Sequence, residues 1–197
     1  MWLRATAAAL GLLVLSCATA SAQQLPGWIT DQRGCRAWSS VMQPNRSFTW
    51  TGGCSGGLVE GQGVLQWYDT GTPSDRYDGK YRDGKMNGHG TYFAVDGERY
   101  EGEFKDNSRT GHGVYLTRWG DRYEGNFERA VLQGHGTAVF ADGRRYDGGF
   151  WNNRANGEGT LTLADGAKVT GKWANGCLDQ GGRRYAVGVG AEVGKCP

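Results

Sequence analysis

The chain has 197 residues and a formal net charge of +2, which suits one ordinary domain and gives no electrostatic reason to expect nucleic acid as a partner. Its 35 glycines alone would indicate a flexible linker. The 8 tryptophans, 9 tyrosines and 6 phenylalanines exclude a disordered chain, because segments that stay unfolded are poor in aromatic residues.

The first 22 residues have the pattern of a removable export signal. Arg4 lies in a short basic start, an apolar run extends from Ala5 to Leu15, and Ala20-Ser21-Ala22 forms a small-residue cleavage site. The run is too short to span a membrane. We expect cleavage after Ala22 and a periplasmic or secreted protein. The alternative is a lipoprotein, because the residues before Cys17 weakly resemble a lipobox and Cys17 would then carry a lipid anchor.

From residue 50 to residue 176 the chain repeats a pattern of 23 residues. Most units open with an aromatic residue, have a glycine two positions later and a second aromatic residue two positions after that. The units start at Trp50, Tyr77, Tyr100, Tyr123, Tyr146 and Val169; the glycines are Gly79, Gly102, Gly125 and Gly148, and the second aromatic residues are Tyr81, Phe104, Phe127, Phe150 and Trp173. Alternate side chains of a strand share one face, so we expect these aromatic residues on one packed face.

A second strand follows in each unit, after two glycines that flank a single residue. These glycine pairs are Gly88 and Gly90, Gly111 and Gly113, Gly134 and Gly136, and Gly157 and Gly159. In three units the second strand ends in Asp-Gly, at Asp96-Gly97, Asp142-Gly143 and Asp165-Gly166. Asp-Gly is typical of a type I′ turn, whose two central residues have positive φ. The sequence therefore predicts that each unit is a β-hairpin.

These residues carry a family resemblance. Tyr77-Asp78-Gly79-Lys80-Tyr81, followed by Gly88-His89-Gly90, resembles the MORN (membrane occupation and recognition nexus) repeat. The resemblance covers about residues 50 to 176 and fails at the edges, where Cys54 replaces an aromatic residue. It implies an all-β fold, with stacked hairpins in one elongated, twisted antiparallel sheet, used for scaffolding, partner binding or membrane association. It does not imply an activity.

The expected organisation is a signal peptide over 1–22, an N-terminal capping segment over 23–49, the repeat array over 50–176 and a C-terminal capping segment over 177–197. Four cysteines remain after the signal, and an even number in an exported protein suggests disulfides. A rod of five or six hairpins has ends on the order of 50 Å apart, whereas a disulfide needs Cα atoms within about 7 Å. We therefore predict one staple at each end, Cys35 with Cys54 and Cys177 with Cys196.

The face opposite the aromatic residues carries two rows of charge. The basic row is Arg76, Arg99, Arg122, Arg145 and Lys168, and the acidic row is Asp78, Glu101, Glu124 and Asp147. One interpretation is a stripe that binds polyanions or lipid. The interpretation we favour is a solvated face neutralised by cross-strand ion pairs, because binding to a membrane surface needs an excess of positive charge.

The three histidines are the obvious candidates for a metal site, but their spacing is too large for them to bind one metal ion together. His89, His112 and His135 occupy the same position of three successive units. Equivalent positions of successive hairpins lie roughly 9–10 Å apart, whereas zinc holds each ligand at about 2.0–2.1 Å. We predict no metal site, no catalytic residues and no cofactor, and hence no enzyme.

Two tryptophans depart from the repeat. Trp119 replaces the Asp of the turn signal, and Trp151 follows Phe150 on the charged face. Each is either a partner contact or a local packing residue, since tryptophan is enriched at binding hot spots. We predict an exported, non-enzymatic scaffold for protein–protein interaction in the cell envelope, with a protein partner of unknown identity. The alternatives are a glycan-binding module and a membrane-associated module held by lipid or by the basic row.

Overall fold

The structure is a computed structural model that describes residues 27–41, 43–189 and 196. The predicted signal peptide, its cleavage site and Cys17 lie outside the described residues. No helix in the described part of the chain is long and apolar enough to cross a membrane.

The described residues form β-strands joined by turns. The strands are β1 Gly27–Thr30, β2 Arg36–Ser39, β3 Ser47–Trp50, β4 Gly53–Ser55, β5 Leu58–Asp69, β6 Thr72–Arg82, β7 Lys85–Phe93, β8 Arg99–Lys105, β9 Ser108–Leu116, β10 Arg122–Glu128, β11 Val131–Val139, β12 Arg145–Trp151, β13 Arg154–Thr162, β14 Lys168–Trp173, β15 Cys177–Gln180 and β16 Arg183–Ala186. Strands β5 to β14 each pair antiparallel with the next, in chain order, within a sheet of 14 strands. The predicted all-β sheet of stacked hairpins is confirmed.

Further strands lie at both ends of the series β5 to β14. Strands β3 and β4 both pair with β5, and β2 joins β5 in parallel through Arg36 and Leu58. Strands β15 and β16 form a separate hairpin beyond β14. The predicted disulfides are confirmed: Cys35 is bonded to Cys54 and Cys177 to Cys196, with Cα atoms 5.8 and 5.6 Å apart.

The repeat glycines make room for the repeat tyrosines. The ring of Tyr77 lies across the glycine pair of its own hairpin, and a Cβ atom added at Gly79 would lie 2.5 Å from that ring. The hydroxyl of Tyr77 then donates to the carbonyl of Lys80 at 3.4 Å. Rings of successive units meet edge-on, for example Tyr77 with Phe104 at 5.1 Å between centroids. Such a contact contributes roughly 0.5–1.5 kcal/mol beyond area burial.

Tyr123 interrupts this series of edge-on ring contacts, which we call the aromatic ladder. Its ring stacks on Tyr115 with centroids 6.1 Å apart, and its hydroxyl donates to the carboxylate of Asp121 at 3.2 Å. Leu132 takes the space over Gly125 instead, since its Cδ1 would lie 3.1 Å from a Cβ added there. The array is therefore not a uniform series of identical hairpins.

The turn type predicted at the Asp-Gly pairs is wrong. In the first of them only Gly97 has positive φ, at 96°. Its N–H donates to the carbonyl of Ala94 at 3.1 Å, which closes a three-residue loop of the kind that ends in a left-handed residue. The Asp96 carboxylate accepts the N–H of Glu98 at 3.2 Å. Asp therefore stabilises the loop through its side chain while keeping ordinary φ.

Two-residue turns with positive φ at both positions occur at the other end of the hairpins. We call this set of turns the turn row; its members are Gly56-Gly57, Asp83-Gly84, Asp106-Asn107, Arg129-Ala130, Asn152-Asn153 and Asn175-Gly176. From Gly84 onward the second residue of each turn donates its N–H to the preceding hairpin, as Asn107 does to the carbonyl of Met86 at 3.0 Å. Stacked hydrogen bonds therefore link the hairpins along the turn row.

Replacing Ala130 with glycine is expected to raise the free energy of unfolding by about 1 kcal/mol. Ala130 has a φ of 68°, which glycine adopts freely and residues with a side chain adopt only at a cost. Urea unfolding measures the change. The control is Ala164→Gly in an exposed loop, where φ is not positive and the substitution is expected to destabilise by a few tenths of a kcal/mol. A loss of stability at Ala130 would contradict the strain assigned to this turn.

Candidate partner-binding surfaces

Both terminal segments of the folded chain lie along the turn row, a position that the sequence did not predict. The N–H groups of Arg36 and Trp38 donate to the turn carbonyls of Gly57 and Gly84, at 3.0 and 2.9 Å. At the other end, the N–H groups of Val187 and Val189 donate to the carbonyls of Gly176 and Asn153, both at 2.8 Å. In each case alternate residues of an extended segment bond to successive turns, as the residues of an added strand do.

A groove of about 310 Å³ lies on the aromatic face beside the N-terminal segment. Its floor includes the repeat aromatic residues Tyr81, Tyr100 and Phe104. Its other lining residues include charged and polar side chains that the sequence reading did not single out, namely Arg46, Asp75, Tyr92, Glu98, Asn107, Arg109 and Tyr115. The groove therefore offers aromatic surface together with hydrogen-bond donors and acceptors, the mixture found at ligand and peptide sites.

Arg46 is a buried cation in this groove. Only 4% of its side chain is exposed, and its guanidinium lies 3.4 Å from the carboxylates of both Asp69 and Asp75. The same group lies over the ring of Trp67, 4.8 Å from the centroid. Two carboxylates and a ring compensate the desolvation of this charge. Its Nε atom is buried without a hydrogen-bond partner among the described residues.

Arg109 covers the groove floor. Its guanidinium lies 4.8 Å from the ring centroid of Tyr115 and 5.5 Å from that of Tyr100. It also donates a hydrogen bond to the carbonyl of Ala130 in the turn row, at 3.2 Å. The same repeat position holds Met86, Leu132 and Ala155 in other units. An arginine in an otherwise apolar column was the one sequence signal that could have drawn attention to this groove.

The groove tyrosines remain hydrogen-bond donors at neutral pH. Burial raises the pKa of Tyr100 to about 12. Burial and, secondarily, the Asp75 carboxylate raise the pKa of Tyr92, and burial with a hydrogen bond to Glu98 raises the pKa of Tyr115. Burial likewise raises the pKa values of Tyr77, Tyr81 and Tyr146 in the ladder. The phenolate form of these six tyrosines is therefore disfavoured.

The charged face is neutralised along its strands. We expected cross-strand pairs, but four arginines of the basic row instead pair with the carboxylate two residues later on their own strand, where side chains share a face. These pairs are Arg76 with Asp78 at 3.6 Å, Arg99 with Glu101 at 2.6 Å, Arg122 with Glu124 at 2.8 Å and Arg145 with Asp147 at 2.9 Å. The expectation of cross-strand pairing is therefore wrong for these arginines.

The histidines lie beside this acidic row. His112 lies 3.9 Å from Glu124 and His135 lies 3.4 Å from Asp147, across neighbouring strands. His89 pairs in register with Glu103. Within the described residues, no group of three His, Cys, Asp or Glu side chains is arranged to hold a metal ion.

The structure does not bring the two candidate tryptophans together. Trp119 lies in a loop, 57% exposed, with the guanidinium of Arg118 at 4.3 Å from its ring. Trp151 ends strand β12, next to the turn row, and is 60% exposed. They lie at opposite ends of the hairpins, roughly 20 Å apart along the strand direction. A single small contact patch cannot include both.

Trp119 makes no contribution to its own turn that the structure records. In the other loops the Asp at this position accepts the N–H of the residue two places later, whereas here that N–H, of Asp121, donates to the hydroxyl of Thr117 at 3.1 Å. Asp121 in turn accepts the N–H of Ala141 at 2.9 Å, which links this loop to the next. The loop is thus closed by Thr117 and Asp121, and the indole is available to a partner.

One protein-family model matches most of the folded chain. The model described as MORN repeat matches the chain five times, at residues 50–72, 77–99, 100–122, 123–144 and 146–168. These matches together span more than half of the chain. A comparison with curated proteins finds no match.

Proposed function

The chain belongs to the MORN repeat family, a non-catalytic repeat family of protein- and membrane-binding scaffolds, and we propose that it is an exported scaffold for protein–protein interaction in the cell envelope. It binds a protein partner and catalyses no reaction. The repeats supply a rigid sheet, and departures from the repeat supply the contacts.

The observation that carries this proposal is the exposure of Trp119. Burying an indole against a partner removes a large apolar surface from contact with water. Tryptophan is among the residues that dominate the binding energy at interfaces. Thr117 and Asp121 make the hydrogen bonds that close its loop, and the indole takes no part in these bonds. The guanidinium of Arg118 lies over the indole, 4.3 Å from the ring centroid, and so adds a positive charge beside the exposed ring.

The two disulfides indicate an oxidising compartment, since such bonds persist in exported proteins and are rare in the cytosol. Cleavage after Ala22 would release the chain into the periplasm or the medium, and lipidation at Cys17 would anchor it. Membrane attachment through the basic row has weaker support, because each of Arg76, Arg99, Arg122 and Arg145 is paired with a carboxylate on its own strand.

Replacing Trp119 with alanine is expected to reduce recovery of the protein partner at least about tenfold, the loss typical of a hot-spot tryptophan. The measurement is affinity purification of the tagged full chain from the envelope fraction of its source cells, with quantitative mass spectrometry. The control is Val95→Ala, which changes an exposed residue in the loop one unit earlier. Equal recovery by both variants would contradict a contact at Trp119.

A further inference from the structure

We propose that the middle of the turn row is a docking site for an extended polypeptide from another protein. The site is formed by the backbone carbonyls of Asn107 and Ala130 and by the adjoining groove on the aromatic face. The occupant bonds to the row through alternate N–H groups and carries small apolar side chains at those positions. This site is separate from Trp119, and the proposal does not depend on a contact there.

The chain already binds its own extended segments at both ends of the turn row. Arg36 and Trp38 donate their N–H groups to the first two turn carbonyls. Val187 and Val189 donate theirs to the last two. Both segments run toward the middle of the row as residue number increases, one from each end. Between them lie the carbonyls of Asn107 and Ala130, to which no backbone N–H of the described residues donates.

The groove occupies repeat positions that hold a bound strand elsewhere in the chain. The groove residues Asn107 and Arg109 stand two units before Asn153 and Ala155. At those later positions the C-terminal segment is bound as a short antiparallel strand: Val189 donates to the carbonyl of Asn153, and Ala155 donates its N–H to the carbonyl of Val187 at 3.2 Å. The aromatic residues Tyr100 and Phe104 below the groove correspond in the same way to Tyr146 and Phe150. The groove therefore has the framework that holds a strand elsewhere in the same molecule.

The guanidinium of Arg109 makes the hydrogen bond that a backbone N–H of the C-terminal segment makes two units later. Its guanidinium donates to the carbonyl of Ala130 at 3.2 Å, and the carbonyl two units later, that of Gly176, accepts the N–H of Val187. The same guanidinium lies over the rings of Tyr100 and Tyr115. A side chain on a flexible stem thus satisfies an acceptor and covers aromatic surface that a bound strand would satisfy and cover.

The chemistry of the occupant follows from the segment already bound. Val187 and Val189 are 1% and 6% exposed, and their N–H groups are the ones that donate to the turn row. Gly188 lies between them. A strand with small apolar residues at alternate positions therefore fits, since a one-residue slip would turn those side chains to the opposite side.

The occupant is a separate chain because each terminal segment is tied to its own end of the array. Cys35, directly before Arg36, is bonded to Cys54, and Cys196 is bonded to Cys177 beside the last hairpin. Strand addition of this kind is a recurring mode of peptide recognition, in which main-chain hydrogen bonds supply affinity and side-chain pockets supply specificity.

The test is an NMR titration of the full oxidised protein with the synthetic peptide Ala-Val-Gly-Val-Gly, which copies residues 186–190. We expect shifts at the amides around Asn107 and Ala130 and at the side-chain Nε–H of Arg109. N-methylation of both valines is expected to weaken binding about tenfold by removing two hydrogen bonds, and N-methylation of the glycines is expected to change it less than about twofold.

A pair of protein variants tests the part played by Arg109. Arg109→Ala is expected to tighten binding of the same peptide severalfold, because the guanidinium no longer competes for the carbonyl of Ala130. Arg129→Ala removes the same charge from the exposed neighbouring turn residue and is expected to leave affinity unchanged. Absence of binding, equal effects of the two N-methylated peptides, or shifts confined to residues 153–155 would each overturn the proposal.

Discussion

Replacing Gly159 with alanine is expected to lower the free energy of unfolding by about 3 kcal/mol, at the upper end of the cost of overpacking a core. A Cβ atom at this position would overlap the hydroxyl of Tyr146 and lie 2.6 Å from its Cζ. Tyr146 is fully buried, with its hydroxyl bonded to the carbonyl of Gly149 at 3.0 Å. The ring cannot move aside without losing its edge contacts with Phe150 and Trp173.

Urea unfolding followed by tryptophan fluorescence gives the change directly. The matched control is Gly53→Ala, where φ is not positive and the added Cβ atom would lie 3.4 Å from the nearest neighbour, the carbonyl oxygen of Glu60. We expect that control to cost less than about 1 kcal/mol. If both variants lost the same stability, the repeat glycines would not be there to seat the tyrosine rings.

Removing the N-terminal disulfide by the double substitution Cys35→Ala and Cys54→Ala is expected to cost about 3 kcal/mol, because the bond closes a loop across a sequence separation of 19 residues. Alanine is chosen because Cys35 is buried. The same loss is expected for Cys177→Ala with Cys196→Ala, since that pair closes a loop of the same length. Thermal unfolding of the oxidised wild type and of both variants measures the two effects.

Hydrogen exchange separates the local from the global effect of the first disulfide. The amides of Arg36 and Trp38 bond to the turn row next to Cys35, and we expect their protection to fall further than that of Tyr100 in the middle of the array. Peptide mapping that joined Cys35 to Cys177 or Cys196 would contradict the stapled ends on which this expectation rests.

The repeat array could be predicted because its signals are local and repeated. A tyrosine, a glycine and an aromatic residue at alternate positions fix the face and the strand, and the family model places five of its repeats on this part of the chain. The disulfide partners could be predicted because the ends of the repeat array are too far apart for a disulfide to join them. Each of these inferences needs only residue spacing and strand geometry.

The turn types could not be predicted in the same way. Asp-Gly indicated a type I′ turn, yet the carboxylate of Asp96 accepts the N–H of Glu98 and keeps the residue out of the left-handed region. Conversely, Arg129-Ala130 adopts positive φ at both positions without any residue that favours it. Hydrogen bonds from neighbouring hairpins impose that turn, as in the bond from the N–H of Ala130 to the carbonyl of Arg109 at 3.0 Å.

The groove, and the docking of both terminal segments on the turn row, could not be predicted from the sequence because they depend on chain segments outside the repeat. Nothing in the residues around Trp38 or Val187 predicts which carbonyls they meet, since those carbonyls belong to turns far away in sequence. The prediction of cross-strand ion pairs on the charged face was wrong for a different reason. An arginine can reach a carboxylate two residues along its own strand as well as a carboxylate on the neighbouring strand.

Photo-crosslinking inside the source cells, from a photoreactive residue at position 119, tests the central claim most directly. Position 164, an exposed residue of another loop, is the control. If the protein is a partner-binding scaffold, mass spectrometry will find a discrete protein adduct from position 119 that is absent from position 164. An adduct with envelope polysaccharide alone, or no adduct, would contradict the claim.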